Sequence, residues 1–234
     1  MKLDNATVLI TGANRGLGLA FARHALARGA RRVLAGARDP HSVTLPGVEP
    51  VRLDVTRPED VAAAAQRHGD VTLLINNAGI AELGTFLAEG SEASARRQME
   101  VNYFGPLRLS RAFAPVLAAA HGGGALLNVL SVASWVHGMD LAVYGATKAA
   151  AWALTNGLRH ELRAQGTQVL GLHMGFVDTD MTQAIEAPKS SADDIVRRAF
   201  DALEAGAEEV LADDLTRAVK QGLSAEPGIY LQPR

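Results

Sequence analysis

Short apolar runs alternate with longer amphipathic stretches along the chain. Seven runs predict β-strands because they are brief, rich in branched residues and bounded by turn-forming residues. They cover residues 7–11, 31–37, 51–55, 71–77, 125–130, 167–173 and 209–212. The longer stretches predict helices over about 17–28, 92–120, 144–164 and 191–205, with another after the third strand. Strands that are apolar on both faces and alternate with helices predict an α/β fold, a doubly wound parallel sheet of the Rossmann type with helices on both faces in three layers.

Two helix boundaries are marked by the sequence itself. Thr56 is expected to cap the helix after the third strand, with Pro58 and Glu59 in its first turn. In the stretch 92–120, Pro106 and Pro115 predict kinks or breaks, because proline has no backbone N–H and clashes with the preceding turn.

Composition narrows the classes of function. The 234 residues are 48% hydrophobic and 21% charged, which predicts one domain over 1–234, with two domains as the alternative. The formal net charge is −2 and the basic residues are scattered rather than clustered, so we expect no nucleic-acid partner. With no cysteine and seven dispersed histidines, we expect no metal site. No membrane-length apolar run and no signal-peptide pattern occur, so we expect a cytoplasmic protein without a membrane partner.

Glycines fill the turn between the first strand and the first helix. Gly12, Gly16 and Gly18 lie where missing side chains let a pyrophosphate approach the backbone and the helix N-terminus. Glycine-rich turns also occur as plain connectors, and the spacing departs from the pattern G-x-G-x-x-G. The loop therefore indicates a nucleotide site without establishing it.

A second pattern follows the fifth strand. Tyr144 and Lys148 are four residues apart, so on a helix they share one face, where an ammonium is expected to lower the pKa of the phenol toward neutrality. Ser131 ends the apolar run and is expected to reach the same cleft. Together these groups would polarise and protonate a carbonyl oxygen. The alternative is an ordinary helix with a buried tyrosine and a surface lysine.

The loop TGANRGLG, taken with Tyr144 and Lys148, resembles the short-chain dehydrogenase/reductase family in its shorter single-domain branch, whose glycine pattern is T-G-x-x-x-G-x-G. The resemblance extends from Leu3 to about Leu231. It implies an oxidoreductase that transfers a hydride between a nicotinamide cofactor and a carbonyl or secondary alcohol. It also implies that Ser131, rather than Ser134, is the family's serine, because Ser131 lies thirteen residues before the tyrosine.

Further segments match family motifs. NNAG, residues 76–79, is similar to the motif after strand four, and Asn102 matches an asparagine that helps hold a water linked to the lysine. A helix asparagine that bonds locally is the alternative. MGFVDT, residues 174–179, is similar to P-G-x-V-x-T, which holds the nicotinamide amide, but Met174 replaces the proline and puts the rigidity of the loop in doubt.

The resemblance therefore implies two sets of site residues. The implied catalytic residues are Asn102, Ser131, Tyr144 and Lys148. The implied cofactor-binding residues are Gly12, Asn14, Arg15, Gly16, Leu17, Gly18, Arg38, Asp54, Val55, Asn77, Ala78, Gly79, Tyr144, Lys148, Val177 and Thr179. Asp54 and Val55 match the adenine-contacting pair, with a plain strand-end aspartate as the alternative for Asp54.

Charge at the second strand bears on the choice of cofactor. NAD-binding proteins carry an acidic residue there, but this chain has Ala37 followed by Arg38, whose guanidinium suits a 2′-phosphate. Arg15 is expected to add a second positive charge. Both favour NADP(H) over NAD(H). The alternatives are that both arginines are simply solvated and that Asp39 is a displaced NAD acid.

The substrate is not identified by the sequence. The segment expected to close the pocket, about 180–192, is short and has no charged cluster for a phosphate or an acyl carrier, so we expect an open site. Trp135, His137 and Met139 either line the pocket or pack as ordinary loop residues. His137 as a second proton donor is the weaker interpretation.

Two other functions are compatible with parts of this motif pattern. A catalytically silent NADP(H)-sensing protein on the same fold would not need the intact Ser131, Tyr144 and Lys148. A sugar-nucleotide epimerase or dehydratase uses the same tyrosine and lysine but carries a larger C-terminal substrate region.

The family resemblance also implies an assembly. We expect a homodimer or homotetramer that pairs the helices at about 102–119 and 147–164. The alternative is that these helices pack only on their own sheet.

Overall fold

The computed structural model describes residues 1–138 and 140–232, in which seven strands form one sheet. The strands are β1 (Thr7–Thr11), β2 (Arg32–Ala37), β3 (Glu49–Arg52), β4 (Leu73–Asn76), β5 (Ala125–Val129), β6 (Gln168–His173) and β7 (Glu209–Leu211). All neighbours are parallel, in the order β3-β2-β1-β4-β5-β6-β7. The predicted doubly wound sheet is confirmed. The order reverses between β1 and β4, which opens a crevice at the carboxyl ends of the strands.

Helices cover both faces of the sheet. They are α1 (Gly16–Ala27), α2 (Pro58–Arg67), α3 (Ser91–Met99), α4 (Gly105–Ala118), α5 (Ala142–Glu161), α6 (Ala192–Glu204) and α7 (Asp214–Gly222). Alternate residues of β1 point to opposite faces, so Val8 and Ile10 pack with α1 and α6, whereas Leu9 packs with α2, α4 and α5. Phe21 and Phe200 meet edge to face at 5.4 Å and join α1 to α6. None of the described helices is long and apolar enough to cross a membrane.

The helix predicted over 92–120 is interrupted by a π-helical turn, Glu100–Phe104. The interruption comes directly before Pro106, in the first turn of α4, so the break predicted at this proline is confirmed. Pro115 lies inside α4, which continues to Ala118, so the break predicted there is absent. The wider π-helical turn carries Asn102.

Three other boundaries correct the sequence interpretation. β3 ends at Arg52, so Asp54 and Val55 lie in the following turn rather than in the strand. Thr56 does not cap α2, because its hydroxyl donates to Asp54 Oδ1 at 2.7 Å and Arg57 occupies the cap position. α7 had not been predicted, although Asp213 caps it through the N–H of Thr216 at 2.8 Å.

Candidate active site

One large cleft lies at the carboxyl ends of the central strands and has a volume of about 1320 Å³. A site for one small molecule usually has about 300–1,000 Å³, so this cleft has room for a cofactor and a second ligand. Every cofactor-binding position predicted from the sequence lines the cleft, and so does Ser131. Of the predicted catalytic residues, only Asn102 lies behind the cleft wall. The roles of these residues stay predictions at this point.

The glycine loop is shaped so that an anion can reach its backbone. Gly12 has φ of +65°, and a Cβ on Gly18 would lie 2.1 Å from the Gly12 carbonyl oxygen. The cap position of α1, Arg15, makes no side-chain capping bond, and the first turn has no acidic residue. The first N–H groups of the helix and its positive dipole end therefore suit a pyrophosphate.

The segment after β4 holds the glycine loop in place. The Asn77 side chain donates to the carbonyl oxygens of Thr11 at 2.9 Å and Gly12 at 3.2 Å. The Thr11 hydroxyl accepts from the N–H groups of Asn77 and Ala78 at 3.0 and 2.9 Å. NNAG thus joins the ends of β1 and β4 across the point where the strand order reverses.

The two arginines differ in their surroundings. Arg38 is exposed directly after β2 and lines the cleft. Arg15 instead donates to Asp180 at 3.2 Å, and both side chains of this pair are about two-thirds exposed. Arg15 also lines the cleft, and its second positive charge near the cofactor stays a prediction. Asp39 also lines the cleft, but its carboxylate accepts from the N–H of His41 at 3.0 Å and caps a short turn.

The Tyr144 hydroxyl has a higher pKa than we expected. Burial raises the pKa of its hydroxyl to about 12, and the nearby Ser131 side chain opposes this shift only in part. Lys148 Nζ lies 5.8 Å from the centre of the tyrosine ring, on the same helix face as predicted. The direction of the shift in the tyrosine pKa is opposite to the predicted one, because burial disfavours the charged phenolate. Tyr144 is accordingly held in its neutral, proton-donating form.

Lys148 is buried and directed at the sheet. Its Nζ donates to the Val129 carbonyl oxygen at 2.9 Å, and burial lowers the pKa of the ammonium to about 8. The alternative interpretation of a surface lysine is therefore excluded. A cation with a pKa this close to neutrality can change its charge with modest changes in pH.

Asn102 ties the cleft wall to the helix that carries the tyrosine. Its amide nitrogen donates to Ile80 O and Thr147 Oγ1, both at 2.9 Å, and its Oδ1 accepts from Ile80 N at 2.9 Å. Thr147 Oγ1 in turn donates to the carbonyl oxygen of Tyr144 at 2.8 Å. These partners are distant in sequence, so the local-bonding alternative is excluded. Both amide protons are used, which gives this side chain a positioning role.

The segment with Met174 in place of proline is held by other contacts. The Met174 carbonyl oxygen accepts from Val132 N at 2.8 Å, and Asp213 Oδ2 accepts from Gly175 N at 2.6 Å. Val177 pairs with Ser190 in an isolated bridge, which joins the two ends of the predicted lid. These bonds tie the segment to the Ser131 loop, to the start of α7 and to the end of the lid.

The residues between Ser131 and Tyr144 separate into two groups. His137 lines the cleft, and its ring packs so closely on α5 that a Cβ on Gly145 would lie 2.4 Å from His137 Cδ2. Trp135 does not line the cleft and stacks on His173 at 4.1 Å instead. Ser134 is buried outside the cleft, in contrast to Ser131. Met139, the third predicted pocket residue, lies outside the described residues.

His173, at the end of β6, was missed from the sequence. It is fully buried, its Nδ1 lies 3.3 Å from the Ser131 carbonyl oxygen, and its Nε2 faces Glu209 at 3.7 Å. Lys220 Nζ lies 4.7 Å from the ring centre of Trp135, on which His173 stacks. Burial lowers the pKa of His173 to about 4. The sequence feature that could have indicated His173 is its position as the last residue of an apolar strand, directly before the motif at 174–179.

Acid is expected to destabilise the fold through His173. The unfolded chain gains a proton below the ordinary histidine pKa of about 6.5, whereas the folded chain resists protonation down to about pH 4, so stability is lost as the pH falls through this window. Between pH 7.5 and pH 5, the stability advantage of the wild type over His173→Asn should shrink by about 2 kcal/mol in denaturant unfolding. His41→Asn, at an exposed histidine, serves as the control. An advantage that is the same at both pH values would contradict this account.

Comparison with known proteins assigns the family. The sequence profile described as short chain dehydrogenase matches residues 6–190, more than half of the chain. The chain belongs to the short-chain dehydrogenase family. The resemblance inferred from the motifs is thereby confirmed, as is the expectation of an oxidoreductase.

Individual relatives agree with this assignment. The chain is 37% identical over 191 residues to the short-chain dehydrogenase ptmH of Penicillium ochrochloron, covering 77% of this chain and 69% of that protein. It is 36% identical over 192 residues to the galactitol 2-dehydrogenase (L-tagatose-forming) of Cereibacter sphaeroides, covering 77% and 75%. A short chain dehydrogenase from Burkholderia cenocepacia J2315, solved in complex with NADP, superposes with a TM-score of 0.93 at 39% identity over the whole of both chains.

Proposed function

We propose that the chain is an NADP(H)-dependent oxidoreductase that interconverts a carbonyl and a secondary alcohol, with Tyr144 as the general acid and base. The observation that carries the proposal is that Ser131, Tyr144 and Lys148 line one cleft with the glycine loop. The cofactor and substrate sites are proposed to share a single domain over 1–234. A second ligand would then lie beside the nicotinamide end of the cofactor.

The residues of the cleft fit NADP(H). Gly12 and Gly18 let the loop pack tightly on itself and on Asn77, and the uncapped start of α1 offers N–H donors for the pyrophosphate. Arg38 is placed after β2 to pair with the 2′-phosphate by a bidentate, charge-assisted contact. The Burkholderia cenocepacia relative solved with NADP supports the same cofactor here. Asp54 and Val55 would lie at the adenine, while Val177 and Thr179 would hold the nicotinamide end.

The chemistry divides between the cofactor and the chain. When bound, NADPH supplies the hydride to the carbonyl carbon. Tyr144 gives its hydroxyl proton to the carbonyl oxygen, and Ser131 donates a hydrogen bond to that same oxygen. Lys148 would stabilise the phenolate that Tyr144 becomes and, as the family resemblance implies, would bond the nicotinamide ribose. Asn102 holds the helix that carries Tyr144 and is proposed to keep a relay water near Lys148.

The pKa of Lys148 predicts how reduction depends on pH. Tyr144 stays neutral over the working range because its pKa is about 12, so the first group to lose its proton as pH rises is Lys148, at about 8. The value of kcat/KM for NADPH, which reports the free enzyme, should therefore fall above pH 8, approaching about tenfold per pH unit. In Lys148→Arg the fall should disappear, because arginine stays charged. A wild-type profile that is flat from pH 7 to pH 10 would refute the role of Lys148.

The proposal is tested by turnover of aldehydes, ketones and secondary alcohols, followed by nicotinamide absorbance with NADPH and with NADH. We expect substrate-dependent turnover that is faster with NADPH. Tight NADPH binding without turnover of any compound would favour the silent sensor instead. Conversion of a nucleotide sugar without net change in nicotinamide absorbance would favour an epimerase or dehydratase.

Assembly as a homodimer or homotetramer and the cellular location stay predictions.

A further inference from the structure

The substrate part of the cleft is built mainly from large apolar side chains. It is bounded by residues 131–138 and 140–141, the lid and α7. Its apolar lining residues come from separate elements and include Leu83, Val136, Met174, Met181, Ile185 and Leu215. The cleft volume of about 1320 Å³ exceeds what one small ligand usually requires, about 300–1,000 Å³. Space for a sizeable second ligand therefore remains beside the cofactor.

The mouth of this part is lined by apolar side chains that are open to solvent. Leu83, Met181 and Leu215 line the cleft and are 62%, 51% and 49% exposed. Phe86 is 55% exposed and extends this apolar rim, since its ring lies edge to face with His137 at 6.3 Å. The loop that carries Leu83 and Phe86 is fixed by a bond from Gly84 N to Asp140 O of 2.7 Å. A ligand that covers these side chains gains free energy from the apolar area removed from water.

Each arginine and lysine among the described lining residues already has another contact or role. Arg15 pairs with Asp180 of the lid, and Lys148 Nζ donates to the Val129 carbonyl oxygen beside the Tyr144 ring. Arg38 lies after β2, at the other end of the cleft from the lid, where it is proposed to hold the 2′-phosphate. Asp140 and Asp180 add carboxylates to the lining of the substrate part. A carboxylate or phosphate on the substrate would be desolvated without a partner.

Polar partners for a sugar are also scarce. Of the hydroxyls in this part, those of Ser131 and Tyr144 are assigned to the reacting oxygen, and that of Thr182 donates to Val177 O. His137 Nδ1 lies 3.2 Å from the Gly138 carbonyl oxygen. A polyol would therefore depend on His137 Nε2 and the exposed carboxylates of Asp140 and Asp180 for its partners, and each hydroxyl placed against the apolar lining instead costs affinity.

We infer that this site takes an uncharged carbonyl compound with bulky apolar substituents, an inference that rests on the function proposed above. Leu83, Met181 and Leu215 are assigned as the residues that select it. The lid segment and the loop that carries Leu83 cover the apolar substituents, while Ser131 and Tyr144 engage the single oxygen.

The test uses aryl alkyl ketones whose alkyl chain grows one methylene at a time. With NADPH, kcat/KM should rise about fourfold for each methylene that is buried. An analogue with a terminal carboxylate and a ketose should each be turned over at least tenfold less efficiently than the parent ketone. Leu83→Lys should raise kcat/KM for the carboxylate analogue about tenfold by supplying a counter-charge. Leu87→Lys is the matched control, because Leu87 is 98% exposed on the same loop but does not line the cleft.

A binding measurement separates this inference from the proposed function. The dissociation constants of the same ketones are measured by NADPH fluorescence with Tyr144→Phe loaded with NADPH, and affinity should follow the same methylene trend. Turnover that is flat along the series, or that favours the carboxylate analogue or the ketose, would overturn the apolar substrate class and leave the reductase standing. The binding trend without any wild-type turnover would support the apolar pocket and overturn the reductase. Neither binding nor turnover would overturn both.

Discussion

Replacing Tyr144 with phenylalanine is expected to abolish most carbonyl reduction while the protein still folds and binds NADPH. The substitution removes the hydroxyl that donates the proton and keeps the ring that packs beside Lys148. Loss of a positioned general acid typically costs about 10²- to 10⁴-fold in rate, so kcat should fall by this amount. The decrease is measured by nicotinamide absorbance under saturating NADPH, and retained binding is measured by NADPH fluorescence.

A matched control distinguishes proton donation from a general effect of removing a tyrosine hydroxyl. Tyr230→Phe makes the same change at a tyrosine that is 58% exposed and outside the cleft, and its kcat should match the wild type. If Tyr144→Phe keeps a kcat near that of Tyr230→Phe, the assignment of Tyr144 as the acid is wrong.

Replacing Arg38 with glutamine is expected to weaken NADPH binding and leave NADH binding nearly unchanged. A hydrogen bond to a charged group contributes about 1.5–3 kcal/mol, so the Kd of NADPH should rise about 10- to 150-fold. NADH has no 2′-phosphate and therefore loses no such contact. Binding of both cofactors is measured by titration at one fixed ionic strength, because charge pairs at an exposed site are screened by salt.

The control for this substitution is Arg67→Gln. Arg67 is an exposed arginine at the end of α2 that does not line the cleft, so the change in net charge is the same. Its cofactor affinities should equal those of the wild type. An equal loss of NADH and NADPH affinity in Arg38→Gln would show that Arg38 supports the loop rather than the phosphate, and Asp39 would return as the residue that selects the cofactor.

Much of the fold is predictable from the sequence because parallel strands are buried on both faces. Runs such as Thr7–Thr11 and Gln168–His173 have apolar residues at consecutive interior positions, which is typical of strands covered on both faces. Pro106 indicated an interruption in the helix over 92–120, but its form as a π-helical turn at Glu100–Phe104 was not predictable, because the residues of this turn have an ordinary helical pattern. Asn102 in that turn bonds to Ile80 and Thr147, which are distant along the chain.

In the candidate site, residue spacing along the chain predicts some features, whereas others depend on contacts between distant residues. A separation of four residues correctly places Tyr144 and Lys148 on one face, as a property of the helix itself. The direction of the Tyr144 pKa shift was wrong, because it depends on burial by other elements. The Arg15–Asp180 pair and the contact of His173 with the Ser131 carbonyl likewise join residues far apart in sequence. Spacing alone carries no information about such pairs.

The most direct test of the proposed reaction is to follow the transferred hydride itself. The wild type is given NADPH carrying deuterium at the transferable position of the nicotinamide and an apolar ketone, and the alcohol is examined by mass spectrometry. The account predicts that the product carries the deuterium on its carbinol carbon and that Tyr144→Phe forms far less of it. An alcohol without deuterium, or deuterated product formed equally fast by Tyr144→Phe, would contradict it.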